Sequence, residues 1–298
     1  MDDVDTRAAD VPAAPAGALA RPEEIFVERW NLQHRLQHLA LAVSMVGLLT
    51  TGLSIKYAYT GWAPRVIALL GGFRSTLVLH KASAVLLILV ALYHLGFLLY
   101  HWRRGQVTWS MRPTRKDALD AVHHALYLLG LRRDPPRFDR YSYLEKFEYL
   151  AIFWGMVVMG LSGLALWFPE VAGRLAGRWV LDALRVVHSN EAFVALLSLA
   201  FGHFFMAHFH PAVFPSSPVW YSGRISLAHL AEEHPLELER LAEAGRLPSG
   251  WVEALGRPAG DPCHRLRGWR RALGVVELVI YSAIFYYLLL TFIPMLLA

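Results

Sequence analysis

The sequence predicts an all-α integral membrane protein, a four-helix bundle followed by a fifth C-terminal membrane helix. Three observations carry this expectation. The 298 residues are 55% hydrophobic and only 18% charged, against about a quarter charged in soluble domains. The mean hydropathy is positive, at +0.35. Five charge-free apolar stretches run from Leu39 to Ile55, Ala82 to Tyr100, Tyr149 to Phe168, Ala192 to Ala207 and Leu278 to Ala298, each near the roughly 17–25 residues that a helix needs to cross a bilayer. Disordered, fibrous, disulfide-stapled and water-soluble two-domain folds are excluded.

Taken in order, residues 1–28 are rich in Ala, Pro and Asp without apolar period and read as a disordered tail. They begin Met1-Asp2-Asp3, unlike the basic start of a signal peptide. Residues 29–210 hold four membrane helices, with a loop at 102–147 between the second and third. Within that loop, Lys116 to Leu131 has helical apolar spacing and reads as an amphipathic helix on the membrane surface. Residues 211–272 form a connecting segment, and 273–298 the fifth helix.

Orientation follows from basic residues, which cytoplasmic loops retain. Trp102 to Phe147 carries ten Lys and Arg and Pro211 to Ala272 carries eight, whereas Thr60 to Val78 carries two and Pro169 to Val187 three. The N-terminus and the two basic loops are therefore expected in the cytoplasm, and the shorter loops and the C-terminus outside, in a bacterial inner membrane. The positive net charge belongs to membrane flanks and implies no nucleic-acid partner.

With Cys263 the sole cysteine, no disulfide within the chain and no cysteine-ligated cluster can form, so any redox centre must use other ligands. Histidine supplies them. An ionisable side chain inside hydrocarbon is costly and marks function by default. His80 and His94 are 14 residues apart on the second helix, and His188 and His203 are 15 apart on the fourth. At about 100° per residue, these steps return to within roughly 40° and 60° of the starting face. The rise separates the members of each pair by about 21–22 Å. The two helices run in the same direction, so His80 meets His188 near the outer surface and His94 meets His203 nearer the inner one. Neutral imidazole is a usual axial ligand of haem iron, and bundles build cofactor sites from inward-facing side chains. The reading is two b-type haems stacked across the membrane.

The first helix adds His34 and His38 at the depth of the inner haem. His38 competes with His94 for the iron, so either one of them is a spectator or there is a third haem. Arg74 and Lys81 stand near the outer site and Arg35 near the inner, where they could meet haem propionates or lipid headgroups. The isolated histidines His123, His124, His229, His234 and His264 read as surface residues. His101, His208 and His210 read as interfacial anchors.

Several stretches resemble a family. Arg35-Leu36-Gln37-His38 leading to Thr51-Gly52, His80 followed by Tyr93-His94-Leu95, Tyr143-Leu144-Glu145-Lys146-Phe147-Glu148-Tyr149, Leu161-Ser162-Gly163, His188-Ser189-Asn190-Glu191-Ala192 and His203-Phe204-Phe205 are similar to the membrane cytochrome b subunits of formate dehydrogenase and nickel–iron hydrogenase. Together with Phe214-Pro215 and Glu233-His234-Pro235, they resemble in particular the branch that accompanies periplasmic multihaem c-type cytochromes. The resemblance implies a four-helix di-haem cytochrome b bundle, with one haem between His80 and His188 and the other between His38 and His203. Spacing alone prefers His94 for His203, and both candidates stand.

The expected function is that of an electron-transfer subunit without substrate chemistry of its own. It would carry electrons between a quinone or quinol pool and a periplasmic multihaem cytochrome or an iron–sulfur subunit. Glu148 and Lys146 are the candidates at a quinone site, which needs a polar group beside an apolar cleft. Two rivals are a proton-coupled transporter and a non-redox membrane anchor. The first predicts helices broken by Gly or Pro, and the second leaves the paired histidines unexplained.

Overall fold

The computed structural model describes residues 25–210, 213–214, 216–247 and 279. In chain order the elements are β1 (Phe26–Glu28), α1 (Leu32–Lys56), α2 (Ala63–Leu69), α3 (Phe73–Arg103), α4 (Arg115–Leu128), α5 (Tyr143–Trp167), α6 (Pro169–Ala176), α7 (Trp179–Leu197), α8 (Val219–Ser222), β2 (Arg224–Ser226), α9 (Leu227–Glu233) and α10 (Pro235–Glu243). Beyond Leu197 the axis of α7 continues through two π-helical turns, Ser198–His203 and Phe205–Phe209. Among the described residues, α1, α3, α5 and the extended α7 are long and apolar enough to cross a membrane. The expected fifth helix lies outside the described residues, apart from position 279.

Local chemistry sets the helix starts. Asn31 caps α1, its side-chain oxygen accepting from His34 N at 2.9 Å, so the helix begins well before the apolar stretch and carries both His34 and His38. Ser142 and Glu145 form a capping box at α5, with the Ser142 amide donating to Glu145 Oε2 at 2.7 Å. Pro64 and Pro169 sit in the first turns of α2 and α6, where a missing amide costs nothing.

Helix α1 packs on α3 and α5 on α7, and the two pairs meet through α1–α7 and α3–α5 contacts. Small residues permit the close approach. A Cβ at Gly47 would collide with the Ser83 hydroxyl. The buried hydroxyls of Ser44, Ser54 and Thr76 donate to carbonyls of their own helices at 2.8, 2.7 and 2.9 Å, which satisfies them without a partner helix. Leu92, Val46 and Leu161 are exposed, as on a face that meets lipid.

One end of the bundle, the basic end, carries α4 and a small cap. In the cap, β1 pairs antiparallel with β2, Val27 opposite Ile225, over a core of Ile25, Ile225, Leu227, Leu230 and Leu247. The expected disordered tail therefore ends in a strand. Its backbone partners come from β2, on the far side of the chain, and no local pattern signals such pairing. Gly223 makes the junction: with φ of +76°, its carbonyl accepts from Arg29 N and Trp30 N at 2.8 and 3.0 Å.

Beneath the cap lies a buried ionic cluster. Glu237 accepts from Arg29 Nη1 at 2.7 Å and from Arg140 Nη1 at 2.8 Å. Burial raises the pKa of Glu237, but the two guanidinium groups outweigh it and hold the carboxyl below its ordinary value. His234, expected at the surface, is buried in this cluster. Its Nδ1–H donates to Asp139 O at 2.7 Å, and its Nε2 accepts from Arg29 Nη2 at 3.0 Å. Burial and the Arg29 charge hold it below the usual histidine range.

The expected amphipathic helix is α4, ended by Gly130 at φ +71°. It is fastened to the first turn of α5, where Lys146 Nζ reaches Asp117 Oδ1 and Oδ2 at 2.8 and 3.0 Å. Burial alone would raise the Asp117 pKa, but the Lys146 and Thr114 hydrogen bonds bring it down.

Candidate functional site

The bundle gathers four histidines into two facing pairs. Toward the end opposite the cap, His80 on α3 faces His188 on α7, with ring centroids 6.4 Å apart. Toward the basic end, His38 on α1 faces His203, with centroids 6.0 Å apart. Two metal–imidazole bonds of about 2 Å each, added to two ring radii, place such centroids roughly 6 Å apart. Both separations suit an ion held between imidazoles.

The hydrogen bonds behind the rings decide which nitrogen faces inward. Thr51 Oγ1 donates to Gly47 O at 2.6 Å, so toward His80 Nδ1, 2.8 Å away, it acts as acceptor. Ser162 repeats the arrangement on α5. It donates to Val158 O at 2.7 Å and accepts from His188 Nδ1 at 2.9 Å. With the proton on Nδ1, the Nε2 lone pair of each ring is free to bind a metal. The neighbouring glycines make room for the rings. A Cβ at Gly52 would lie 3.1 Å from His80 Cε1, and one at Gly163 would lie 2.9 Å from His188 Cε1.

At the basic end, His203 Nδ1 stands 3.2 Å from Glu148 Oε2. His38 packs against Trp30, with centroids 5.4 Å apart, and its buried Nδ1 has no hydrogen-bond partner among the described residues. The π-helical turn ending at His203 absorbs about one extra residue. It turns that side chain back by about 100° from where a straight α-helix would aim it.

His94 is placed differently. Its Nδ1–H donates to Gln37 Oε1 at 2.8 Å and its Nε2 accepts from Tyr149 OH at 2.9 Å, so both nitrogens are engaged in joining α1, α3 and α5. The structure brings His203 to His38 and leaves His94 as an interhelical bridge.

The expected cations lie as follows. Arg35 Nη1 donates to Tyr221 O at 2.8 Å, tying α1 to the cap. Lys81 Nζ sits 4.9 Å over the Trp167 ring, and Arg74 lies in the first turn of α3. Lys146 is engaged with Asp117 and Glu148 with His203. One cation escaped the sequence reading: Lys56 Nζ donates to Ser189 O at 3.0 Å and Asn190 Oδ1 at 3.1 Å, beside His188. The acceptor roles of Thr51 and Ser162 also escaped it. Their signal is a hydroxyl residue followed by glycine, Thr51-Gly52 and Ser162-Gly163, once in the first helix of each packed pair.

Residues 29–218 match the prokaryotic cytochrome b561 family. The chain belongs to that family. This cytochrome is accordingly a multi-pass bacterial membrane protein of haem b electron transfer, and the matched span covers the four membrane helices found among the described residues while leaving out β1, α8, β2, α9 and α10. No curated protein sequence matches the chain. The residues present fit haem b: facing imidazoles are suitable axial donors, the Nδ1–H groups of His80 and His188 are held at the far end by Thr51 and Ser162, and Gly52 and Gly163 leave room for those two rings that a Cβ would take.

Proposed function

We propose that this cytochrome holds two b-type haems, one between His80 and His188 and one between His38 and His203, and passes electrons between a membrane quinone pool and a partner redox subunit. When bound, haem supplies one-electron exchange between ferric and ferrous iron. The chain's residues do the rest. Thr51 and Ser162 fix the tautomer and the rotation of the outer ligands. His94 holds three helices in register.

The single observation that carries this reading is the double pairing of the rings at 6.4 and 6.0 Å, with His94 occupied at both nitrogens. The same helix ends support a topology with the basic end and its cap in the cytoplasm, since α4 and the loops around it carry the greater share of arginine and lysine. Quinone exchange belongs at that end, beside the inner pair. The partner takes or gives electrons at the opposite end, as a periplasmic multihaem cytochrome or an iron–sulfur protein would.

The test is haem counting by pyridine haemochrome on purified protein. Wild type is expected to carry two haems per chain, His38→Ala and His80→Ala one each, and His94→Ala two. Retention of both haems by His38→Ala, or loss of one in His94→Ala with normal folding, overturns the inner assignment. Absence of haem from wild type overturns the whole reading.

A further inference from the structure

We infer that Glu148 is a positioning residue that lowers the reduction potential of the inner haem, making the two ends of the electron path unequal; this rests on the pairing of His38 with His203 proposed above. The three Nδ1 atoms with partners differ in kind. Those of His80 and His188 donate to neutral hydroxyls at 2.8 and 2.9 Å, whereas that of His203 faces a carboxylate oxygen at 3.2 Å. The chain thus repeats one device twice at the outer site and replaces it with an anion at the inner.

The local structure provides for this anion. Glu148 projects from the second turn of α5, and at Gly202, beside His203, an added Cβ would approach Glu148 Oε1 to 3.4 Å. Glycine there leaves the carboxylate its place. Lys146, two residues away, is spent on Asp117, and among the described residues the hydrogen-bond partner of Glu148 is His203. A carboxylate behind a ligating imidazole raises the basicity of the ligand, and its negative charge favours ferric over ferrous iron. Among the described residues, His38 brings no compensating partner at its own Nδ1.

The experiment is a redox titration of the intact haem-loaded protein in lipid nanodiscs, followed by absorbance, with one electron per haem supplied by the chemical titrant. His38→Ala and His80→Ala, each retaining one haem, assign the two waves. Glu148→Gln keeps an acceptor oxygen and the side-chain shape but removes the charge. The inner haem's reduction equilibrium is expected to move about tenfold toward the reduced form, or about 59 mV for one electron, with the outer wave unmoved. Glu148→Asp, which keeps the charge, is expected to stay nearer wild type than Glu148→Gln. Three results overturn the inference: both midpoints unchanged in Glu148→Gln with both haems retained, both waves shifted equally, or loss of the inner haem from Glu148→Gln but not Glu148→Asp, which makes the role structural only. Failure of His38→Ala to remove a haem is a different outcome, since it removes the pairing on which the inference stands.

Discussion

Replacing Ser162 by Ala deletes the hydroxyl that accepts from His188 Nδ1–H at 2.9 Å and leaves that donor only the nearby Met159 carbonyl. A partner behind a metal-ligating histidine contributes about 10–100-fold in metal affinity, which is roughly 1.4–2.8 kcal/mol. Thr51→Val removes the equivalent acceptor of His80, at 2.8 Å, with little change of shape. The two hydroxyls sit on different helices, but their rings face each other at 6.4 Å over one proposed haem, so the two changes are expected to couple by about 0.5–3 kcal/mol rather than act independently. The assay is the rate of haem transfer from each variant to an excess of a haem-scavenging apoprotein, resolved spectrally so that the inner haem serves as control. Each single change is expected to speed loss of the outer haem about 10–100-fold, and the double change by more than either alone. Outer haem retained as tightly by both single variants as by wild type refutes the tautomer argument, because the lone pair on Nε2 would then be fixed by something other than these hydroxyls.

Gly163→Ala is expected to displace His188 and loosen the outer haem, since the new Cβ lies 2.9 Å from Cε1, whereas Gly160→Ala, with nothing within 4 Å, is neutral; haem content per chain checks both. Glu237→Ala leaves Arg29 and Arg140 buried without their shared carboxylate, a loss of about 3–5 kcal/mol, to be seen as faster hydrogen exchange across residues 224–243 with the membrane helices unaffected. The cap is also expected to loosen on acidification. His234 has a folded pKa below its ordinary 6.5, so its contribution is complete above that value and declines as pH falls, by up to about 1.4 kcal/mol per unit. The depressed Glu237 acts only at lower pH, below about 4.5, whereas burial raises the neighbouring Glu233, which gains stability on acidification and opposes the histidine. The comparison of wild type with His234→Gln at about pH 7.5 and 5.5 therefore reads the histidine's share, and the loosening is expected to be smaller in His234→Gln.

The membrane class and the four spans were legible because hydrocarbon imposes a length and a composition on each helix separately. The outer pair was legible too, since His80 and His188 lie at matching depths on parallel helices. For the inner pair the sequence left two candidates: spacing preferred His94, and the family resemblance implied His38. His38 and His94 stand at similar depth, and choosing between them requires the direction of His203, which a π-helical turn resets, and the partners of His94, which come from Gln37 on one helix and Tyr149 on another. Spacing within one helix holds neither quantity.

The cap shows the same division. Its helices follow from Ser226 and Pro235 at their starts, but the burial of Arg29, Arg140, His234 and Glu237 depends on three chain segments meeting at once. Sequence by itself determined what each segment can be: a membrane span, an amphipathic helix, a histidine at a given depth. Tertiary structure decided which side chains share an interior, and therefore whether a histidine faces another ring, bridges helices or joins an ion cluster. Periodicity is a property of one helix, whereas the role of an imidazole is set by what lies beyond each of its two nitrogens.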